Sequence, residues 1–140
     1  MKPLIQTLAL CLCLLTCAAP VLAKADYSFV GIKDANQVTI FLKKLKKAVS
    51  DGDKAAVAAM VSYPIIVTID DADKEIANKA AFLADYDKII NDHVKKGIAE
   101  QQLDEADVFV NKQGVMVGND KQLLLLPEGK SLRITTINTK

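Results

Sequence analysis

The chain has 140 residues, with 18 basic and 17 acidic side chains, one histidine, three cysteines and no tryptophan. So even a charge balance argues against nucleic acid or an anionic membrane surface as the main partner. Aromatics at 5% and a sole arginine, Arg133, argue against a stacking shelf for bases or sugars.

The first residues read as an export signal. Lys2 is the only charge before residue 24, Leu4 to Ala19 is almost wholly apolar, and Val21-Leu22-Ala23 is an A-x-A-like exit. The apolar run is too short and wrongly flanked for a membrane span. Cleavage is expected after Ala23, which makes residues 1–23 a signal peptide and 24–140 a single domain in the periplasm or secreted. Cys11, Cys13 and Cys17 all fall in the signal, so neither a disulfide framework nor a cysteine-based zinc site is expected in the mature chain. Thr16 is a poor neighbour for a lipidated Cys17, which speaks against a lipoprotein. Removing residues 1–23 from 140 takes Lys2 away and leaves 117 residues with 17 basic against 17 acidic groups, a formal charge of zero.

Lys24 to Lys33 is a lead-in whose Tyr27, Phe29, Val30 and Ile32 are expected to pack under a first helix. Asp34 reads as its N-cap, with Gln37 in the capping-box position. Val38, Phe41, Leu42, Leu45, Ala48 and Val49 follow at helical spacing as far as Ser50. Asp51-Gly52-Asp53 is a turn with a fresh cap, and Lys54 to Val61 a second short helix ended by Tyr63-Pro64. Ile65 to Ile69 is a β-branched run read as a strand, and Asp70 to Ala77 a polar loop. Asn78 then caps the longest helical pattern, Asn78 to Gln102, with Phe82, Tyr86, Ile89, Ile90, Val94 and Ile98 on one stripe. Leu103 to Asp107 connects it to strands at Val108 to Asn111 and Gly114 to Val117, as two strands or one bulged strand. Gly118-Asn119-Asp120 turns into Gln122 to Leu126, and Pro127 to Lys130 turns into a last strand, Leu132 to Asn138. Helices first and a meander of strands afterwards make an α+β domain: a curved antiparallel sheet packed on about three helices.

Several stretches together resemble the nuclear transport factor 2-like (SnoaL-like) superfamily. Phe41-Leu42, Ala48 to Val57, Tyr63-Pro64-Ile65, Phe82-Leu83, Tyr86-Asp87, Ile89-Ile90 and Val115 to Gly118 are similar to its first helices, strand entry, third helix and hairpin. The resemblance covers most of residues 35–138 and implies a cone, a curved sheet wrapped around helices, whose outer sheet face commonly forms a dimer. One departure stands out: Leu123-Leu124-Leu125-Leu126 replaces a strand that in such proteins often carries aromatics, which argues against a pocket for a flat ring.

His93 is unique and follows Tyr86 by seven residues, so on one helix the two would stack as an acid–base pair. Against that, no acidic partner is placed by spacing and most lone histidines are structural. Arg133 alternates with Leu132 and Ile134 and could clamp a carboxylate, with Phe82 and Tyr63 as further ligand contacts. Asp85, Asp87 and Asp92 read as a solvated face, and Lys43, Lys44, Lys46 and Lys47 as a solvated helix surface or a docking patch for an acidic partner. Asp70 to Glu75 starts like a calcium loop but has Ile76 at the glycine position and Phe82 at the terminal glutamate position, so no metal is expected. No cofactor is expected either, since the mature chain has no Gly-rich phosphate loop, nucleophile elbow or paired histidines. The unbroken leucine run favours burial of both strand faces, or a homodimer through the sheet.

The preferred reading is an exported, non-enzymatic binding protein for a small apolar molecule or a protein partner. The alternatives are a cofactor-independent isomerase, dehydratase or hydrolase using His93 and Tyr86, and a periplasmic inhibitor or immunity-type protein acting through its surface.

Overall fold

A computed structural model of the chain describes residues 25–104 and 107–140. The expected signal peptide, with its three cysteines, and Lys24 lie outside the described residues. After a single 3₁₀ turn, Ser28–Val30, come α1 (Asn36–Ser50) and α2 (Lys54–Ala59). They are followed by β1 (Val61–Ile69), β2 (Ala72–Ile76), α3 (Lys79–Ala84), α4 (Tyr86–Ile89) and α5 (Asp92–Glu100). The chain closes with β3 (Phe109–Asn111), β4 (Gly114–Val117), β5 (Leu123–Glu128) and β6 (Ser131–Asn138). The six strands form one curved open sheet in the order β2-β1-β6-β5-β4-β3, with β1 and β6 parallel and every other neighbouring pair antiparallel. This is an α+β fold with helices packed on a mainly antiparallel sheet.

The apolar periodicities account for the packing. Val38, Phe41, Leu42, Leu45 and Ala48 of α1 are buried, as are Phe82, Tyr86, Ile89, Ile90, Val94 and Ile98. They meet the inner sheet face, where Ile65, Val67, Val115, Val117, Leu123, Leu125, Ile134 and Ile137 are each at most 1% exposed. Burial in β5 does alternate: Leu123 and Leu125 enter the core while Leu124 and Leu126 stay half-buried on the outer face. In the lead-in, Tyr27, Val30 and Ile32 are buried but Phe29 points out, 62% exposed.

Four expectations about boundaries are corrected. First, the capping box at Asp34 does not form. The Asp34 carboxylate accepts from Asn36 N–H at 2.9 Å, two residues on, and the helix starts one residue later, at Asn36, without a side-chain cap. Second, Tyr63-Pro64 does not end α2, which stops at Ala59. The strand runs through the proline because pairing with β6 skips from Val61 to Ile66 and pairing with β2 begins at Ile65. A residue without an N–H fits such a gap in the ladder.

Third, the polar loop Asp70 to Ala77 contains strand β2, paired antiparallel to β1 from Ile65↔Ile76 to Ile69↔Ala72. Asp70 and Asp71 both take positive φ, 51° and 67°, as a two-residue hairpin turn requires. The Asp73, Lys74 and Glu75 side chains then lie exposed on an edge strand, where charge discourages pairing with another chain.

Fourth, the long helix is three helices. Asn78 caps α3 through Ala81 N–H as expected, but Asn91 caps α5 through Val94 N–H at 3.0 Å and donates its amide to the Thr139 carbonyl at 2.9 Å. Asn91 thus starts α5 in extended backbone, after α4 has ended at Ile89. Residues 112–113 separate β3 and β4, so Phe109 to Val117 is a hairpin and not one bulged strand.

Candidate functional site

Breaking the long helix removes the geometry that would have stacked His93 below Tyr86. Tyr86, on α4, is 3% exposed and packs edge-on against Phe82, ring centres 6.0 Å apart; Phe82 packs the same way on Tyr63 at 6.1 Å. Three residues singled out from the sequence therefore meet, as an aromatic ladder linking α4, α3 and β1. The Lys54 ammonium stands 5.1 Å over the Tyr86 ring and bonds both oxygens of Asp87 at 2.9 Å. Hydrogen bonding to Lys54 holds the Asp87 carboxyl below the usual range. Burial first, then the Asp87 and Asp53 charges, push the Tyr86 phenol up, so it resists becoming a phenolate base.

His93 sits elsewhere, in the first turn of α5, against the turn between β4 and β5. Its Nε2 is 3.1 Å from the Gln122 side-chain nitrogen and 3.7 Å from an Asp120 carboxylate oxygen. The Gln122 carboxamide oxygen accepts from Asp120 N–H, which turns the amide NH₂ toward the ring. A neutral ring taking that bond carries its proton on Nδ1. Gln122 is only 2% exposed and occupies space that two glycines leave open. A Cβ on Gly97 would lie 2.5 Å from its carboxamide, and one on Gly118 would lie 1.7 Å from its oxygen.

Arg133 joins neither group. Its guanidinium Nη1 donates to the Ala59 carbonyl and its Nε lies 3.7 Å from Glu128. The Tyr63 hydroxyl donates to the Ala58 carbonyl at 2.8 Å and Ile134 N–H to the Met60 carbonyl at 2.9 Å. Three successive carbonyls at the end of a six-residue helix are thus satisfied from outside it. Arg133 and Tyr63 act here as helix-end partners.

Arg133 also borders the feature that the sequence did not point to. A recess of about 500 Å³ lies between α1, α2 and the β5–β6 hairpin. Ile40, Phe41, Met60 and Leu132 supply apolar surface, and Lys44, Lys130 and Arg133 supply charge. Gln37, Ile40, Phe41 and Lys44 recur at three- and four-residue spacing, so one stripe of α1 forms this wall. The signal was present in Ile40, a large apolar side chain off the core stripe and 51% exposed. Tyr86, His93, Phe82 and Tyr63 do not line this recess. Among the described residues no cluster of three His, Cys, Asp or Glu could hold a metal ion, and no helix is long and apolar enough to cross a membrane.

Comparison with protein-family models, curated proteins and solved structures found no match.

Proposed function

We propose that the chain is an exported, non-enzymatic binding domain of the nuclear transport factor 2-like kind, which holds a small apolar molecule in the recess between α1, α2 and the β5–β6 hairpin. One observation carries this reading: the recess keeps Ile40 half in solvent beside Phe41, Met60 and Leu132, in a volume of about 500 Å³. Small-molecule sites fall in the same range, roughly 300–1,000 Å³, with apolar walls and a few polar groups. The acid–base alternative has less support. It asks for His93 and Tyr86 on one concavity, whereas one bonds Gln122 and the other packs on Phe82.

The test is binding of decanol, a flexible aliphatic probe, to mature protein purified from the exported fraction, followed by calorimetry. Decanol is expected to bind with one-to-one stoichiometry, and Ile40→Asp to weaken it by at least about tenfold, the equivalent of losing one apolar contact of about 1.5 kcal/mol. Equal binding by wild type and Ile40→Asp would remove the recess from the proposal. The intact mass of the same sample should correspond to a chain starting at Lys24; a lipidated chain starting at Cys17 would overturn the localisation.

A second copy of the chain is proposed as a partner of the outer sheet face. Phe109, Met116, Leu124, Thr136 and Ile66 stand opposite one another across five strands, and the two end residues are 50% and 41% exposed. A mainly apolar row of this kind, interrupted by Thr136, suits an interaction surface.

A further inference from the structure

The charges around the recess narrow its ligand class. Lys47, Lys54, Lys74, Lys88, Lys95, Lys96 and Lys140 each face a carboxylate. Lys44 and Lys130, which line the recess, have no ion-pair or hydrogen-bond partner among the described residues. No aspartate or glutamate lines it. Arg133 adds a third positive charge, but part of its guanidinium is committed to the Ala59 carbonyl and Glu128 is close by. In a mature chain of zero formal charge, one concavity therefore combines the exposed Ile40 and the half-buried Met60 with two free ammonium groups and no acidic lining residue.

We infer that the recess binds a soluble single-chain aliphatic carboxylate, with the hydrocarbon on Ile40, Phe41, Met60 and Leu132 and the carboxylate between Lys44 and Lys130. This rests on the preceding assignment of the recess as the binding site and adds the anionic head. Lysine suits the role: a compact charge on a flexible stem follows a carboxylate that the chain length places, without demanding the fixed fork of an arginine. Both ammonium groups are exposed, so the attraction is screened and adds selectivity more than affinity. The hydrocarbon supplies most of the binding free energy.

The experiment compares decanoate with decanol, which share a chain length and differ in charge, on wild type and on the Lys44→Gln/Lys130→Gln variant at low and high salt. Decanoate should bind wild type about tenfold more tightly than decanol at low salt, and the gap should narrow as salt rises. The double variant should bind the two probes alike, and an unchanged midpoint in urea unfolding shows that it is folded. Decanol binding as tightly as decanoate to wild type would overturn the anionic head and leave the apolar recess standing. Failure of both probes to bind wild type would overturn the recess itself. Preference for decanoate that survives the double variant would also refute the lysine assignment.

Discussion

Gln122 is a polar side chain almost without solvent contact, seated against two positions that have no side chain of their own. Its carboxamide bonds His93 and Asp120 N–H, so it cannot swing aside freely when Gly97 gains a methyl group. Alanine in a helix is worth up to about 1 kcal/mol over glycine, whereas overfilling a packed site costs roughly 1–3 kcal/mol. The second effect should win. Gly97→Ala is expected to destabilise the protein by about 1–2 kcal/mol in urea unfolding. In a Gln122→Ala background the same change should stabilise it by about 0.5–1 kcal/mol. A stabilising Gly97→Ala in the wild type would refute the tight seat. The same arrangement explains His93: its uniqueness drew attention in the sequence, and its partners make it a fixed neighbour of a buried amide.

At the scale of elements, α2 is too short to be stable alone and is secured at both ends. Asp53 caps its start through Ala56 N–H, and Tyr63, Arg133 and Ile134 serve its last carbonyls. The Tyr63 link has a pH dependence whose sign follows from burial. Burial pushes the Tyr63 phenol up from 10.0 to about 12, so the unfolded chain releases this proton first as pH rises. The contribution of Tyr63 is full below about pH 10 and declines toward about pH 12. The phenolate also loses the hydrogen with which it serves Ala58. Stability measured by urea unfolding should fall across this window, and Tyr63→Phe should reduce the fall while lowering stability near neutrality by about 1 kcal/mol. Tyr86, raised in the same direction, leaves a residual slope. An unchanged alkaline limb in Tyr63→Phe would show that the phenol is not the group involved.

For the molecule as a whole, the outer sheet face and the recess make separate demands. The row from Phe109 to Ile66 is expected to bury itself against a second copy, since pairing a patch with itself closes the assembly without leaving a free edge. Light scattering at micromolar concentration should report a dimer, and Phe109→Lys combined with Leu124→Lys should give a folded monomer that keeps its decanol binding. A monomeric wild type would remove the dimer and leave the row without its assigned partner.

The α+β class, the core-facing stripe of α1, the buried positions of Phe82 to Ile98 and the caps at Asp53 and Asn78 followed from residues within a few positions of one another. Local spacing and local hydrogen bonds carry that information, and the tertiary structure preserved it. The passage of β1 through Pro64, the anchoring of the α5 cap and the recess followed from contacts between distant residues. Asn91, the cap of α5, is held by Thr139, 48 residues away, and Arg133 serves a carbonyl 74 residues before it. Asp70 and Asp71 make a hairpin without the glycine that marks most such turns, because β1 supplies the partner for the strand that follows. Periodicity determined which side chains leave water; only the meeting of separate elements decided where each helix stops and which lysines are left beside an apolar surface without an acid.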